Sequence, residues 1–171
     1  MIKKIILLTF ILNIYAFAIN LNEIPKEVTI EKEDGGLLNE EAWHSSMLKE
    51  KVYVLFYVDP DEKDTNNDFS DALQKRAYDL TTFGTVAIVN LKATWLPNFA
   101  IESALEEKQK TYPTTTYVKD KTKYLVREWN LADDNSDILI FNKKGELIYQ
   151  FAGKLPQTEI EKAMKLIEKN L

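Results

Sequence analysis

Val52-Tyr53-Val54-Leu55-Phe56-Tyr57-Val58 is the stretch on which the fold turns: seven apolar residues in a row, with no polar residue at alternate positions. A strand with one wet face alternates. An unbroken run of this length suits a strand covered on both faces, the usual condition of a parallel strand in an α/β sheet. Downstream, the polar segment Asp59 to Asn67 breaks the run. Phe69, Ala72, Leu73, Ala77 and Leu80 then recur at helical spacing, with Thr65 and Asp68 spaced as a capping box. Thr85 to Leu91 (TVAIVNL) reads as a second buried strand, and Asn98 to Lys110 as a helix with Ile101, Ala104 and Leu105 on one face. Thr114 to Lys119 is a short β-prone run. Ile138–Phe141 and Glu146–Phe151 flank the turn Asn142-Lys143-Lys144-Gly145 and predict an antiparallel hairpin. The last helix opens on a second capping box, Thr158 to Glu161, and carries Ile160, Ala163, Met164, Ile167 and Leu171.

Upstream of the decisive strand, Val28 and Ile30 alternate with polar residues before Asp34-Gly35-Gly36 and Leu37-Leu38, which predicts a short hairpin. Ala42, Trp43, Met47 and Leu48 then predict a short helix within Asn39–Leu48. Buried strands joined by helices imply right-handed parallel crossovers. The expected fold class is therefore α/β, a three-layer sandwich around a mixed central sheet, with an N-terminal hairpin extension.

Composition narrows the chemistry. The 171 residues include no cysteine, which removes disulfides, Cys-ligated metals, thiol catalysis and dithiol redox exchange together. A single histidine, His44, excludes a poly-histidine zinc site within one chain. No P-loop, GxGxxG, HExxH or GxSxG motif occurs, and no cofactor, no metal and no catalytic residue is expected.

The chain opens as an exported one. Met1-Ile2-Lys3-Lys4 is a basic start, Ile5 to Leu12 is apolar, and Ala16-Phe17-Ala18 is an A-x-A cleavage signal. The apolar stretch from Ile5 to Ile19 is shorter than the roughly 20 residues of a membrane span. Residues 1–18 are thus expected to be a secretory signal peptide cleaved after Ala18, and residues 19–171 a single domain. Without Lys3 and Lys4, 20 basic residues face 27 acidic ones, a net of −7. That sign opposes nucleic-acid binding, and nothing after the signal is expected to meet a membrane.

The element order, together with particular residues, gives a resemblance. Trp43, Leu48-Lys49-Glu50-Lys51-Val52, Lys63 with Asn66, Thr85 to Asn90, Ser103, Leu105, Glu106 and Tyr112 carry its first part. Glu128-Trp129-Asn130-Leu131, Ser136-Asp137 and Lys143-Lys144-Gly145-Glu146 carry the rest. On these the chain resembles the YtfJ family of periplasmic thioredoxin-like proteins of Gram-negative bacteria. The resemblance implies a thioredoxin-like fold and a periplasmic address. The family brings no settled activity with it.

Two departures from redox thioredoxins follow. Where those enzymes place Trp-Cys-x-x-Cys, at the start of the helix after the first core strand, this chain has Asp59-Pro60-Asp61-Glu62-Lys63-Asp64. Where they place a cis-proline, before the closing hairpin, it has Ser136. The expected function is therefore a binding or interaction module without redox activity, with an unidentified periplasmic protein or small ligand as partner.

Ligands of open α/β sheets collect at the carboxyl ends of the strands. The candidate ligand-binding residues are accordingly Asp59, Asp61, Lys63, Asp64, Asn66 and Ser136. The alternative is a divalent-cation-dependent or hydrolytic protein using the loop Asp59–Asn67, whose carboxylates and amides are hard oxygen donors. The bland reading of the same loop is acids and a cap, Asn66, favouring a helix N-terminus. Lys63 within the cluster weakens a cation site. Trp129 is read as a core anchor, His44 as a polar surface contact, and Thr114-Thr115-Thr116 as part of an edge strand.

Overall fold

The computed structural model describes residues 19–171. The predicted signal peptide, residues 1–18, lies outside the described residues. In chain order the elements are β1 (Thr29–Ile30), β2 (Gly35–Leu37), β3 (Trp43–His44), β4 (Val52–Val58) and α1 (Asn67–Arg76). They continue with β5 (Phe83–Asn90), α2 (Asn98–Thr111), β6 (Thr115–Asp120), α3 (Tyr124–Trp129), β7 (Ser136–Phe141), β8 (Leu147–Ala152) and α4 (Gln157–Asn170).

The VYVLFYV run is β4, inside a six-stranded mixed sheet of order β2-β6-β5-β4-β7-β8. It runs parallel to β5, from Val52↔Phe83 to Val58↔Val89, and antiparallel to β7. Its alternate residues feed two different cores, which is why none of them is polar. On one face Val52 and Val54, with Ile138 and Ile140 of β7, meet Phe69 and Leu73 of α1 and Ile160, Ala163, Met164 and Ile167 of α4. Farther along that face Val89 and Tyr117 meet Ile101 and Leu105 of α2. On the other face Leu55, Tyr57, Val86, Ile88 and Leu139 pack on Leu125 and Trp129 of α3 and on Val28, Ile30 and Trp43. Right-handed crossovers β4–α1–β5 and β5–α2–β6 require both helices on the same face, and the cores place them there.

Four local expectations are corrected. The N-terminal strands do not pair across Asp34-Gly35-Gly36: β1 pairs with β3, Thr29 opposite His44, and β2 joins the edge of β6. Gly35 lies at φ +122°, and a Cβ there would run into the Lys119 carbonyl. The glycines thus serve a close approach to β6 rather than a hairpin turn. The helix expected within Asn39–Leu48 is β3 followed by a single 3₁₀ turn, Ser45–Met47; Trp43 and Leu48 are buried while Met47 is exposed, so its apolar residues share no stripe. Helix α1 stops at Arg76 because Ala77 adopts the left-handed conformation, and Leu80 is left exposed. Neither capping box forms: Pro156 stands at the N-cap of α4, and the Asn66 side chain at α1 is engaged elsewhere. The edge reading of Thr114-Thr115-Thr116 stands at Thr115 and Thr116, since β2 covers β6 only from Val118 to Asp120.

Trp129 is buried, its indole N–H donating to the Lys26 carbonyl at 2.9 Å. The lone His44 faces the Thr29 hydroxyl across the β1–β3 pair, at 2.9 Å from Nδ1.

Candidate functional site

The loop after β4 and the turn before β7 lock together at the end of the sheet. The Asp59 backbone N–H donates to the Asn135 carbonyl at 3.0 Å, and the Asn135 N–H returns a 2.8 Å bond to Asp59 Oδ2. Asn66 makes the second tie. Its Nδ2 donates to Ser136 Oγ at 2.9 Å and to the Gly153 carbonyl at 3.1 Å, while its Oδ1 accepts from the Leu155 N–H at 2.9 Å. The amide is spent on joining α1, β7 and the β8–α4 connection. It is neither a helix cap nor a free ligand donor.

The six residues expected at the site therefore divide. Asn66 and Ser136 form the buried clamp. Asp61 is exposed and accepts from the Thr94 hydroxyl at 3.4 Å, and Asp64 accepts from the Asn67 amide at 3.2 Å. Asp59 is buried and turns away from both. Among the described residues, the acidic group that closes within 4.8 Å joins Asp59 to Asp133 and Asp134, not to Asp61 and Asp64.

Lys63, Asp64, Asn66 and Ser136 lie at one end of a cavity of about 460 Å³ between α1, α2 and the sheet. Phe56, Val58, Ala87 and Val89 form its floor, and Ala100, Ile101, Ala104 and Leu105 of α2 its wall. From Ala100 to Lys108 the wall is about 12 Å long, at 1.5 Å per residue. Lys108, Tyr112 and Thr115 line the far end. Trp95 and Phe99, next in sequence to the lining residues Leu96 and Ala100, are strongly exposed. Neither Lys63 nor Lys108 forms an ion pair among the described residues. Composition of this kind, apolar with few polar groups, is that of small-molecule sites.

The opposite face of the same sheet end is acidic. Asp120 is buried and accepts four hydrogen bonds, from the Tyr57 hydroxyl at 3.0 Å and from the N–H groups of Thr122, Tyr124 and Leu125 at 2.8–3.1 Å. Asp137 is also fully buried and accepts from the Ala132 N–H at 3.0 Å. Burial pushes Asp59 up to about 6, with Asp133 and Asp134 adding to it, and pushes Asp137 up to about 7. Asp59 Oδ1 and Asp137 Oδ1 have no hydrogen-bond partner among the described residues. Sequence reading passed over Asp120, and had Asp137 only among the residues of the family resemblance. The available signal was a charge ending an apolar strand in Tyr117-Val118-Lys119-Asp120, and one starting a strand in Ser136-Asp137-Ile138.

Comparison with known proteins agrees with this architecture. The family model described as "Bacterial protein of unknown function (YtfJ_HI0045)" matches residues 19–170. The Escherichia coli (strain K12) protein "Uncharacterized protein YtfJ" is 26% identical over 133 residues, covering 75% of this chain and 72% of that protein. A thiol-disulfide isomerase from Corynebacterium glutamicum superposes with a TM-score of 0.59 at 12% identity, over 86% of this chain and 95% of that one. The exposed lipoprotein thioredoxin Etrx1 of Streptococcus pneumoniae gives 0.58 at 13%, over 82% and 99%. The fold is thioredoxin-like, and it is built here without a cysteine.

Proposed function

The chain belongs to the YtfJ_HI0045 family, and from that premise we propose that it is a non-redox binding protein taking an amphiphile with an unbranched apolar chain and an anionic head. The observation that carries this is the 460 Å³ cavity beside the loop where a redox thioredoxin keeps its cysteines. Its floor and its α2 wall are apolar, and its ends hold the unpaired ammonium groups of Lys63, beside the Asp64 carboxylate, and of Lys108, which has no carboxylate next to it in the lining. Apolar burial supplies affinity, and a charge at one end fixes orientation. The work is done in the periplasm, after export by residues 1–18.

Calorimetric titration of the full chain with dodecanoate tests the reading. Saturable one-to-one binding is expected, weaker for dodecanol, which lacks the charge. Ala104→Trp, at an exposed wall position, should fill the groove and remove binding without changing the melting temperature. Absence of binding, or binding that survives Ala104→Trp, overturns the proposal.

A further inference from the structure

We infer that Asp59, Asp133 and Asp134 form a calcium site at the end of the sheet, on the face opposite the groove. Asp59 follows Val58, whose side chain lines the groove. With extended backbone at Asp59, the alternation of a strand turns its carboxylate to the other side. There, one oxygen from each of the three aspartates falls within 4.8 Å of the other two. Oxygens bound to one Ca²⁺ at about 2.4 Å stand no farther apart than that.

The acidic cluster is not the only evidence. Asp59 is 1% exposed, and its Oδ1 has no partner although Oδ2 accepts from the Asn135 N–H. A buried carboxylate oxygen left without a donor is costly, and a cation at the cluster removes the cost. The Asn90 side chain faces the same carboxylate; its Oδ1 accepts from the Lys92 N–H at 3.2 Å, while its Nδ2 has no partner within hydrogen-bonding geometry among the described residues. The groups bearing on the cluster are Asp137, which adds to the negative charge, and Lys123, whose Nζ pairs with Asp133 Oδ2 at 2.6 Å. Against four carboxylates one ammonium is too little, and Lys123 holds a place that a cation would take. Asp133 and Asp134 are exposed, so an ion reaches the site from solvent. Carboxylates on a turn suit the irregular, flexible coordination of Ca²⁺ better than the strict octahedron of Mg²⁺.

Titration of the EDTA-treated full chain with CaCl₂ tests the inference, by calorimetry and by melting temperature. One ion should bind with a Kd of about 1 mM or tighter, the range of extracellular calcium modules. MgCl₂ should bind at least about tenfold more weakly. The double variant Asp133→Asn/Asp134→Asn changes only exposed groups and keeps the fold. It should lose calcium binding and the calcium-induced rise in melting temperature. Lys123→Met frees Asp133 and should tighten binding several-fold. No binding up to about 10 mM, or equal binding by the double variant, overturns the site. Dodecanoate binding is read separately and does not depend on either result.

Discussion

Asn66 Nδ2 lies 2.9 Å from Ser136 Oγ, so a hydrogen bond joins the end of the loop that stands where a redox thioredoxin carries its cysteine motif to the residue that stands in place of its cis-proline. Both residues are buried, and Asn66 also holds the Leu155 N–H and the Gly153 carbonyl. Asn66→Ala would leave three partners without it, two of them, Ser136 and Leu155, in the interior. It should cost about 2–4 kcal/mol, measured as a shift in the urea midpoint with unchanged slope. Ser136→Ala removes one partner only and should cost about 1 kcal/mol.

Asp120 is the heavier anchor. Four donors converge on its carboxylate, three of them backbone N–H groups at the start of α3. Asp120→Ala should cost at least about 3 kcal/mol, above the ordinary range for single substitutions. Tyr57→Phe removes one donor, leaves the backbone bonds, and should cost about 1 kcal/mol. Denaturant unfolding of the two variants checks the order.

Asp59 and Asp137 give stability a particular pH dependence. Burial raises both, to about 6 and about 7, from an ordinary 3.8. The folded chain therefore binds more protons than the unfolded chain between about pH 4 and pH 7. Stability contributed by these two groups falls as pH rises through that window and is level above it. Glu40 and Glu159 have lowered values and act oppositely, but only at and below the ordinary carboxylate range. In EDTA the melting temperature should be higher at pH 5 than at pH 8. Asp137→Asn keeps an acceptor for Ala132 and should narrow the difference; a melting temperature rising from pH 5 to pH 8 would contradict this.

Gly35 ties the sheet edge to its backbone conformation. At φ +122°, with the Lys119 carbonyl where a Cβ would go, Gly35→Ala should detach β2 from β6. Hydrogen exchange should then accelerate at Lys121, whose N–H donates across to the Asp34 carbonyl, while β4 amides keep their protection.

The central architecture was legible because β4, β5 and the closing hairpin are long apolar runs whose pattern leaves one way to bury them. The N-terminal segment was not, because short elements are decided by tertiary partners. Trp43 looked helical in spacing, yet its strand is set by Ile30 opposite it and by the core beneath. At the site, the place of the loop after β4, at the carboxyl end of the central strand, could be read from topology alone. The partners of Asp59 could not, since Asp133 and Asp134 are more than seventy positions away and only the fold brings them near. Asn66 misled for a similar reason: a helix-cap residue by type, it bonds across to β7 and to the connection after β8.

The placement of β4 between a near and a distant neighbour orders the folding reaction. Val54 pairs with Thr85, 31 positions later, on one side and with Ile140, 86 positions later, on the other. Closing the longer loop costs about 0.9 kcal/mol more in chain entropy. The parallel half, β4 to β6, is therefore expected to assemble first, with the β7–β8 hairpin, itself local, docking onto its edge. The Asn66–Ser136 bond exists only after that docking. Its removal should leave the folding rate nearly unchanged and speed unfolding, which would make this bond a latch set late, governing how long the folded molecule lasts.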